Sequence, residues 1–451
     1  MNFSEFKDIE DRFETAKIKF LGEPIWAYLR IYAFDALNRK TSDNLHKPSI
    51  SFLKDLFWTL PSLGKKEFIV FSSSDQRKLI DAKWHDRQDL SNQLQNKALF
   101  IELPVTGHKP KAMMASKYFY SKLWWYGIEL FLSKIQSVRV EHEELLIELL
   151  NSLNCRLDYQ NLLKRFKAQY LVSRFFFKTY KPKAIFLTTQ YTNMPRILAA
   201  KELEIKVVEF QHGLISEKHN AYHIGKHKNI NFYPDYLLSF GEVEKDILSK
   251  NNYLTSDKVL PIGSFYLGYL QSKIGDSKNP IQEMFNGKRL YCFSAQDMAI
   301  NEVIEALNKL ATKEENKVLF LPRKVTIEEY YQRGLSKNIE HLKAFNTYET
   351  LLYSNIHLSL FSTCATEAIA LGTPTILLNF DGHAEKHFLE IAQSLPYLKI
   401  IENIDFFEDA IKEWEKHYPT SVSSTTNHLF KVGYQENLEI AINKVLGETA
   451  A

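Results

Sequence analysis

Hydroxyl side chains that end a predicted strand and lead directly into a helix give the strongest chemical signal in the sequence. Ser362 and Thr363 stand at the strand end, and Gly372 and Pro374 close the helix that follows. Unpaired N–H groups and the positive dipole at a helix start favour an anion, and with two hydroxyls they suit a phosphate. Glu367, one turn into the helix, is placed to reach a ribose hydroxyl. An ordinary capped helix uses the same residue types, so both interpretations stay open.

Two cations at the end of another predicted strand form a second candidate site. Pro322, Arg323 and Lys324 follow that strand, one α/β unit earlier in the chain. Their charges suit a nucleotide phosphate or an acidic sugar, although adjacent surface charges are commonly only solvated. Gln296 and Asp297 follow the first strand of this part of the chain and add polar groups at the same edge.

A histidine between a strand and a glycine is the third signal. His212 follows Gln211 and precedes Gly213, whose missing side chain permits a sharp turn or a close approach to a ligand. An imidazole at this point can act as a general base or donate to a leaving phosphate. Three more histidines follow by residue 227, but no cysteine or tight carboxylate set accompanies them. We therefore predict no metal site.

Short apolar runs bounded by turn residues are the elements that must position these side chains. They form two series: 67–71, 98–103, 184–187, 206–210, 236–240 and 259–262, then 289–293, 318–321, 356–361, 375–378 and 398–401. Such runs, alternating with helix-length segments, predict an α/β protein with parallel sheets covered on both faces. Ligands of these sheets bind beyond the carboxyl ends of the strands. Four residues that follow those strand ends are therefore candidates for substrate binding: Gln190, Gln211, Gly213 and Gln296.

The two series predict two Rossmann-like, doubly wound domains. The first covers residues 1–240 and carries a mostly helical insertion over about 105–180. The second covers 241–430, and a C-terminal helix and tail occupy 431–451. No repeat or low-complexity tract interrupts this organisation.

Composition excludes several classes of protein. The chain has 451 residues, 45% of them hydrophobic and 25% charged, and a net charge of only +3, which does not indicate a nucleic-acid binder. Three widely spaced cysteines indicate neither a disulfide framework nor a four-ligand zinc site. The charged N-terminus lacks a signal-peptide core, and no window reaches the ~18 consecutive apolar residues of a membrane span. We therefore expect a soluble cytoplasmic protein.

One aromatic segment complicates that expectation. Residues 117–134 include Trp124 and Trp125 among several tyrosines and phenylalanines, and are edged by Lys117, Lys122 and Lys134. A helix of this composition suits a membrane interface, which would make the contact with the inner membrane a peripheral one. A helix that buries its apolar stripe in the core is the alternative.

Motifs of other nucleotide enzymes and hydrolases are missing from the sequence. There is no G-x-x-x-x-G-K-[ST] phosphate loop, no G-x-G-x-x-G after the first strand and no G-x-S-x-G elbow. These absences disfavour P-loop kinases, ordinary dinucleotide dehydrogenases and the common serine hydrolases.

Tandem α/β domains with Ser362-Thr363, Glu367 and Gly372-Thr373-Pro374 resemble the GT-B class of glycosyltransferases. Phe210-Gln211-His212-Gly213 and the stretch from Gly22 to Arg30 resemble bacterial transferases that build surface polysaccharides, such as capsule and O-antigen. The resemblance spans about residues 15–430. It implies two domains facing across a cleft, with the nucleotide sugar on the C-terminal domain and the acceptor against the N-terminal domain.

A finer resemblance is to bacterial transferases that use CMP-activated acidic sugars of the Kdo and sialic acid types. These enzymes carry a basic or His-Pro motif after one strand of the C-terminal domain and a Ser-Ser or Ser-Thr motif after the next. Pro322-Arg323-Lys324 and Ser362-Thr363 stand in that relation, although Leu321 takes the place of the histidine before the proline. The resemblance implies a nucleotide site at Pro322, Arg323, Lys324, Ser362, Thr363 and Glu367.

The leading hypothesis is a cytoplasmic glycosyltransferase that moves a sugar from a nucleotide donor to a glycan or lipid-linked glycan acceptor, without a cofactor. His212 is the first catalytic candidate, and Asp75, Glu217 and Asp297 are the carboxylates considered for action at the anomeric carbon. The alternatives are a sugar-nucleotide epimerase, a CDP-polyol phosphotransferase and a non-catalytic nucleotide- or glycan-binding protein.

Overall fold

The computed structural model describes residues 1–38, 66–105, 107–216, 219–273, 279–395, 397–417 and 428–447. The chain forms two compact units. The first contains Met1–Ile262 and Gln435–Ala451, and the second contains Gly263–Tyr434.

The first unit is built on a seven-stranded parallel sheet whose order is β11-β10-β9-β8-β3-β6-β7. Two short antiparallel hairpins, β1–β2 and β4–β5, accompany it. The strands are β1 Lys19–Phe20, β2 Glu23–Pro24, β3 Phe68–Ser73, β4 Lys78–Ile80, β5 Lys83–His85, β6 Ala98–Leu103, β7 Phe119–Ser121, β8 Ala184–Thr188, β9 Lys206–Phe210, β10 Tyr236–Ser239 and β11 Val259–Pro261.

Helices cover this sheet because its strands are apolar on both faces. The central strands bury nearly every residue, as expected for parallel strands packed between helices. The helices are α1 Phe3–Glu10, α2 Trp26–Asn38, α3 Leu90–Gln93, α4 Leu123–Ile135, α5 Glu143–Ser152, α6 Tyr159–Tyr180, α7 Met194–Lys201 and α8 Val243–Lys250. One core lies between the sheet and α4, α6 and α7, and a second joins α1, α2 and α5 to α6.

The second unit has a five-stranded parallel sheet in the order β13-β12-β14-β15-β16. Its strands are β12 Arg289–Ser294, β13 Asn316–Leu321, β14 Ile356–Ser359, β15 Thr375–Leu378 and β16 Leu398–Ile401. Its helices are α9 Phe265–Lys273, α10 Pro280–Met284, α11 Ile300–Leu310, α12 Ile327–Gln332, α13 Thr347–Tyr353, α14 Cys364–Ala370, α15 His383–Ser394 and α16 Phe407–His417. A last helix, α17 Tyr434–Leu446, returns to the first unit from its second residue onward.

A chain of polar side chains crosses the middle of this second sheet. His357, fully buried in β14, places Nε2 2.9 Å from the hydroxyl of Ser294 on β12 and Nδ1 3.2 Å from that of Thr375 on β15. Ser294 also donates to Ser359, 2.9 Å away. Burial lowers the pKa of His357 to about 3, so the imidazole is neutral and its hydrogen bonds are those of an uncharged ring.

The structure confirms the predicted α/β class, with two parallel sheets formed by the two series of apolar runs. The first unit extends to Ile262, beyond the boundary predicted at 240, because β11 pairs with β10 at the edge of the first sheet. The aromatic segment 117–134 is not one helix. Its first part is β7, which adds Phe119 to the sheet opposite Phe100, and the helix starts only at Leu123.

A buried ion pair fixes the N-terminal helix to the chain that follows β9. The guanidinium of Arg30 lies 2.7 Å from the carboxylate of Glu10, which also accepts from the indole N–H of Trp26 at 2.9 Å. The same guanidinium donates to the carbonyls of Asn220 and His223 at 2.7 and 3.1 Å. Arg30 therefore joins α1 and α2 to the loop that carries Asn220 and His223.

We expect Arg30→Ala to lower the free energy of unfolding by about 3–5 kcal/mol, because it leaves the buried Glu10 carboxylate without its charged partner. Urea unfolding of the purified chain measures this change. Lys17→Ala is the matched control, since it removes the exposed pair with Glu14 and should leave the unfolding midpoint where it is. Equal midpoints for both variants would contradict the role assigned to Arg30.

Candidate functional site

Arg87 and His212 meet at the carboxyl edge of the first sheet, beyond the neighbouring strands β3, β8 and β9. One guanidinium nitrogen of Arg87 lies 3.0 Å from Nδ1 of His212, and the other donates to the His212 carbonyl at 2.8 Å. The side-chain amide of Gln76 lies 3.4 Å from the same Nδ1. The ring is thereby held in one orientation although the residue is exposed.

The contact with Arg87 fixes which ring nitrogen of His212 carries the proton. A guanidinium only donates hydrogen bonds, so Nδ1 must accept. In the neutral imidazole the single proton then lies on Nε2. In this arrangement His212 donates a hydrogen bond through Nε2. Nε2 could act as a base only if the ring proton moved to Nδ1, which would break the bond between Nδ1 and Arg87.

Surrounding groups keep the His212 ring neutral near physiological pH. Desolvation of the ring by the protein lowers its pKa, and the positive charge of Arg87 lowers it further. Asp75, which follows β3, acts in the opposite direction and raises the pKa. The net shift is downward from the ordinary value.

A small recess of about 20 Å³, space for about one water molecule, lies beside this pair. Its walls combine apolar strand residues with Ser72, Ser73, Gln76, Arg87 and Thr188. Among the described residues, the Ser72 hydroxyl is buried without a hydrogen-bond partner. The recess therefore presents hydroxyl, amide and guanidinium groups to a polar ligand.

The side chains of two predicted substrate-binding residues form hydrogen bonds within the first unit. Gln190 is fully buried, and its amide donates to the carbonyl of Ala221 at 3.1 Å. Gln211 donates to the Gly213 carbonyl at 3.0 Å and to Glu244 at 2.8 Å, and accepts from the backbone N–H of Phe240 at 2.6 Å. Both side chains thus shape the loops after their strands. Glu217 lies outside the described residues.

A buried carboxyl group that the sequence analysis missed organises the same loops. Glu209, inside β9, accepts from the backbone N–H of Gln190 at 3.0 Å, from the Tyr222 hydroxyl at 2.8 Å and from the Tyr253 hydroxyl. Burial is the main cause that raises its pKa to about 7, while these hydrogen bonds oppose the shift. A glutamate within the apolar run of β9 was the available signal.

Each of the three histidines after His212 makes a separate contact with another side chain of the first unit. His219 packs edge-on against Tyr222, and burial lowers its pKa to about 4. His223 packs edge-on against Phe3, and His227 lies 2.6 Å from the hydroxyl of Thr15. Over the described part of the chain, no group of three or more metal-ligating side chains comes together.

In the second unit, Asp297 holds the basic turn in place. Its two carboxylate oxygens accept from the backbone N–H groups of Lys324 and Val325, each at 3.1 Å. Asp297 itself has the left-handed backbone, with φ of 58°. The ends of the adjacent strands β12 and β13 are thereby joined, with Pro322 half-buried and the side chains of Arg323 and Lys324 exposed.

Gln296 joins β12 to its other neighbour, β14. Its side-chain oxygen accepts from the backbone N–H of Phe361 at 2.6 Å. The Phe361 ring lies between two histidines of α15, 5.2 Å from His383 and 5.1 Å from His387 between ring centroids. Polar groups from three adjacent strands therefore share one edge of the second sheet.

The predicted phosphate element lies at this edge. The Ser362 hydroxyl accepts from the backbone N–H of Cys364 at 3.2 Å, whereas Thr363 is exposed and makes no side-chain cap. Arg323 is close enough for its charge to lower the pKa of the Cys364 thiol, against the larger effects of burial and Glu367. Glu367 accepts from the Tyr348 hydroxyl at 3.1 Å.

Arg87 was missed because it lies in an irregular segment after β5, where no periodicity or motif marks it. Its partner His212 is separated from it by 125 residues. The fold of the first unit, not a local pattern in the sequence, brings the two residues together.

Neither protein-family models nor curated protein sequences match the chain. Solved structures match its fold. A structure from Listeria monocytogenes, described as a UDP-N-acetylglucosamine 2-epimerase, is 13% identical with a TM-score of 0.51 and covers 86% of this chain and 98% of its own. The Neisseria meningitidis UDP-GlcNAc 2-epimerase bound to UDP-GlcNAc is 15% identical with a TM-score of 0.50, covering 85% and 99%.

The calicheamicin glycosyltransferase CalG4 is 11% identical, with a TM-score of 0.49 and coverage of 86% and 100%. Similarity at these identities concerns the fold alone. The chain has a GT-B-like fold. The two structures with TM-scores of 0.50 and 0.51 are both described as UDP-N-acetylglucosamine 2-epimerases.

We expect Arg87→Gln to raise the pKa of His212 and Asp75→Asn to lower it, because the positive charge of Arg87 lowers this pKa and the negative charge of Asp75 raises it. An NMR titration of the imidazole measures both shifts, and nitrogen chemical shifts report the proton on Nε2 in the wild type. Lys83→Gln, which changes an exposed lysine at the start of β5, is the control. A proton found on Nδ1, or an unmoved pKa in Arg87→Gln, would refute the pairing.

Proposed function

We propose that the protein is a glycosyltransferase that takes a sugar from a nucleotide donor. The observation that carries the proposal is the Arg87–His212 pair at the carboxyl edge of a parallel sheet, where proteins of this fold class bind their ligands. It sets a neutral N–H donor beside a small recess whose walls include the hydroxyl groups of Ser72, Ser73 and Thr188. Such a donor stabilises negative charge that develops on a substrate oxygen during group transfer.

The donor's nucleotide is assigned to the edge of the second sheet. Arg323 and Lys324 supply positive charge, and the turn that carries them is fixed by Asp297. Ser362 and Thr363 supply hydroxyls at the start of α14. Two exposed cations favour an acidic sugar on a CMP donor, because they pair with both a phosphate and a sugar carboxylate.

In the proposed reaction, the bond between the anomeric carbon and the donor's phosphate oxygen breaks, and the acceptor oxygen bonds to that carbon. The acceptor hydroxyl must lose a proton, and the phosphate leaves with its negative charge. The charge of Asp75 acts on the His212 ring, whereas both oxygens of Asp297 already accept hydrogen bonds from backbone N–H groups. Asp75 is therefore the preferred proton acceptor, and His212 the donor to the reacting oxygens.

The proposed acceptor is a growing bacterial surface glycan, free or lipid-linked, as in capsule or lipopolysaccharide synthesis. The corresponding location is the cytoplasm, with peripheral contact at the inner membrane. Among the described residues, no helix combines the length and the apolar character needed to cross a bilayer.

A nucleotide-sugar 2-epimerase is the second candidate function. It is favoured by the two fold matches with TM-scores of 0.50 and 0.51, whose descriptions are of UDP-N-acetylglucosamine 2-epimerases. An epimerase acts on its nucleotide sugar without an acceptor. A CDP-polyol phosphotransferase and a non-catalytic binder complete the set that one assay must separate.

We expect nucleotide to be released from a panel of CMP, CDP, UDP, GDP and dTDP donors only when a glycan acceptor is present. Ser362→Ala with Thr363→Val, or Arg323→Gln, should weaken nucleotide binding by ~1–3 kcal/mol through lost charge-assisted hydrogen bonds. Calorimetry measures the affinity, and Lys343→Gln, an exposed cation of the same unit, is the control. Turnover without acceptor would indicate the epimerase, and binding without turnover a non-catalytic protein.

His212→Ala should reduce transfer by ~10²–10³-fold while nucleotide affinity and melting temperature stay unchanged, since it removes a positioned donor. His212→Gln retains a side-chain N–H and should recover at least ~10-fold of that loss. Steady-state rates of the two variants, compared with the wild type, measure the difference. Equal loss in both variants would show a base rather than a donor, and a lowered melting temperature a structural role.

A further inference from the structure

The outer face of α4 is apolar and exposed. Leu123 and Trp125 of this helix are buried in the core. Its exposed large apolar side chains are Tyr126, Ile128, Leu130, Phe131 and Ile135. Phe131 and Ile135 are 65% and 64% exposed. Single exposed apolar residues are ordinary on a protein surface, but five on one short helix are a contiguous apolar face.

The neighbouring helix α6 extends this face. The two helices pack against each other, and the rings of Trp125 and Phe176 stack with centroids 4.5 Å apart. On α6, Leu171 and Phe175 are exposed, the latter by 66%, and the exposed Lys178 follows three residues after Phe175. Residues at i, i+4 and i+7 lie on one side of a helix. We call the exposed apolar residues of α4 and α6 together the α4–α6 face.

The exposed charges of these two helices are positive, and one of them, Arg174, is paired with Glu202 at 3.1 Å. Their only acidic residue is Glu129, which is buried and lies 2.7 Å from the guanidinium of Arg196. Their basic residues are Lys134, Lys164, Arg165, Lys167, Arg174 and Lys178. Lys134 lies between Phe131 and Ile135, and Lys178 lies three residues after Phe175, so both cations border the apolar side chains.

We propose that the α4–α6 face binds the surface of a bilayer that contains anionic phospholipids. Rings and aliphatic side chains enter the boundary between headgroups and acyl chains, while the lysines bordering them reach the phosphates. Charge decides between this occupant and a second copy of the chain. Two copies would bring like-charged faces together, whereas an anionic leaflet attracts them.

This inference does not depend on the proposed transfer reaction, because vesicle binding is measured without nucleotide or acceptor. Its failure would remove the peripheral membrane contact from the proposed function but leave the transfer reaction as it stands, and failure of the transfer reaction would leave the membrane inference as it stands. If both are correct, the face sets the first unit at the membrane where a lipid-linked acceptor lies.

Flotation of the full chain with vesicles tests the proposal. We expect binding to phosphatidylcholine vesicles that contain phosphatidylglycerol at low salt, with weaker binding at high salt or without the anionic lipid. Phe131→Ser with Phe175→Ser should reduce partitioning by at least ~10-fold, because it removes two rings from the interface. Both positions are exposed, so folding should be unaffected, and an unchanged melting temperature verifies this.

A charge variant and a matched apolar control complete the test. Lys134→Glu with Lys178→Glu should abolish the preference for anionic vesicles. Phe406→Ser, which removes a ring that is 51% exposed in the second unit, should bind as the wild type does. The proposal fails if no vesicle binds at low salt, if the double serine variant still floats, or if light scattering shows that the face joins two copies.

Discussion

Both sheets are parallel and covered by helices, and this constraint decides where chemistry can occur in the molecule. The middle of each strand is shielded on both faces, so an unpaired polar group there costs free energy. Polar side chains that are to meet a ligand are displaced to the strand ends. His212 in the first unit, and Arg323 and Ser362 in the second, lie at such ends, and Arg87 contacts His212 from the segment after the β4–β5 hairpin.

The side chains at these edges are held by hydrogen bonds whose partners come from neighbouring strand ends. Asp297 fixes the turn that carries Arg323, and Gln296 fixes the backbone before Ser362. In the first unit, Arg87 fixes the ring of His212. Supporting contacts of this kind keep a binding group in one position before its ligand arrives, which lowers the entropic cost of binding.

Strand positions could be predicted from the sequence because buried parallel strands are nearly continuous apolar runs. All eleven predicted runs coincide with strands of the two sheets. The edge strand β7 and the two hairpins were missed, since two or three residues carry too little pattern. Arg87 could not be found either, because its partner His212 is brought to it only by the fold of the first unit. Gln190 was predicted to contact a ligand, but its side chain is buried and donates to the Ala221 carbonyl, a tertiary contact that no local pattern indicates.

The row of polar groups through His357 has a consequence for how the second sheet assembles. Apolar side chains tolerate neighbours in several alignments, whereas the imidazole of β14 must meet hydroxyls on both β12 and β15. A shift of the strand pairing by one residue would leave these groups without hydrogen-bond partners in an apolar interior. Each unpaired group would cost ~1–3 kcal/mol of folding free energy. These hydrogen bonds therefore favour a single alignment of three strands that are distant in the chain. Folding intermediates with misaligned strands are less stable than those with the native alignment.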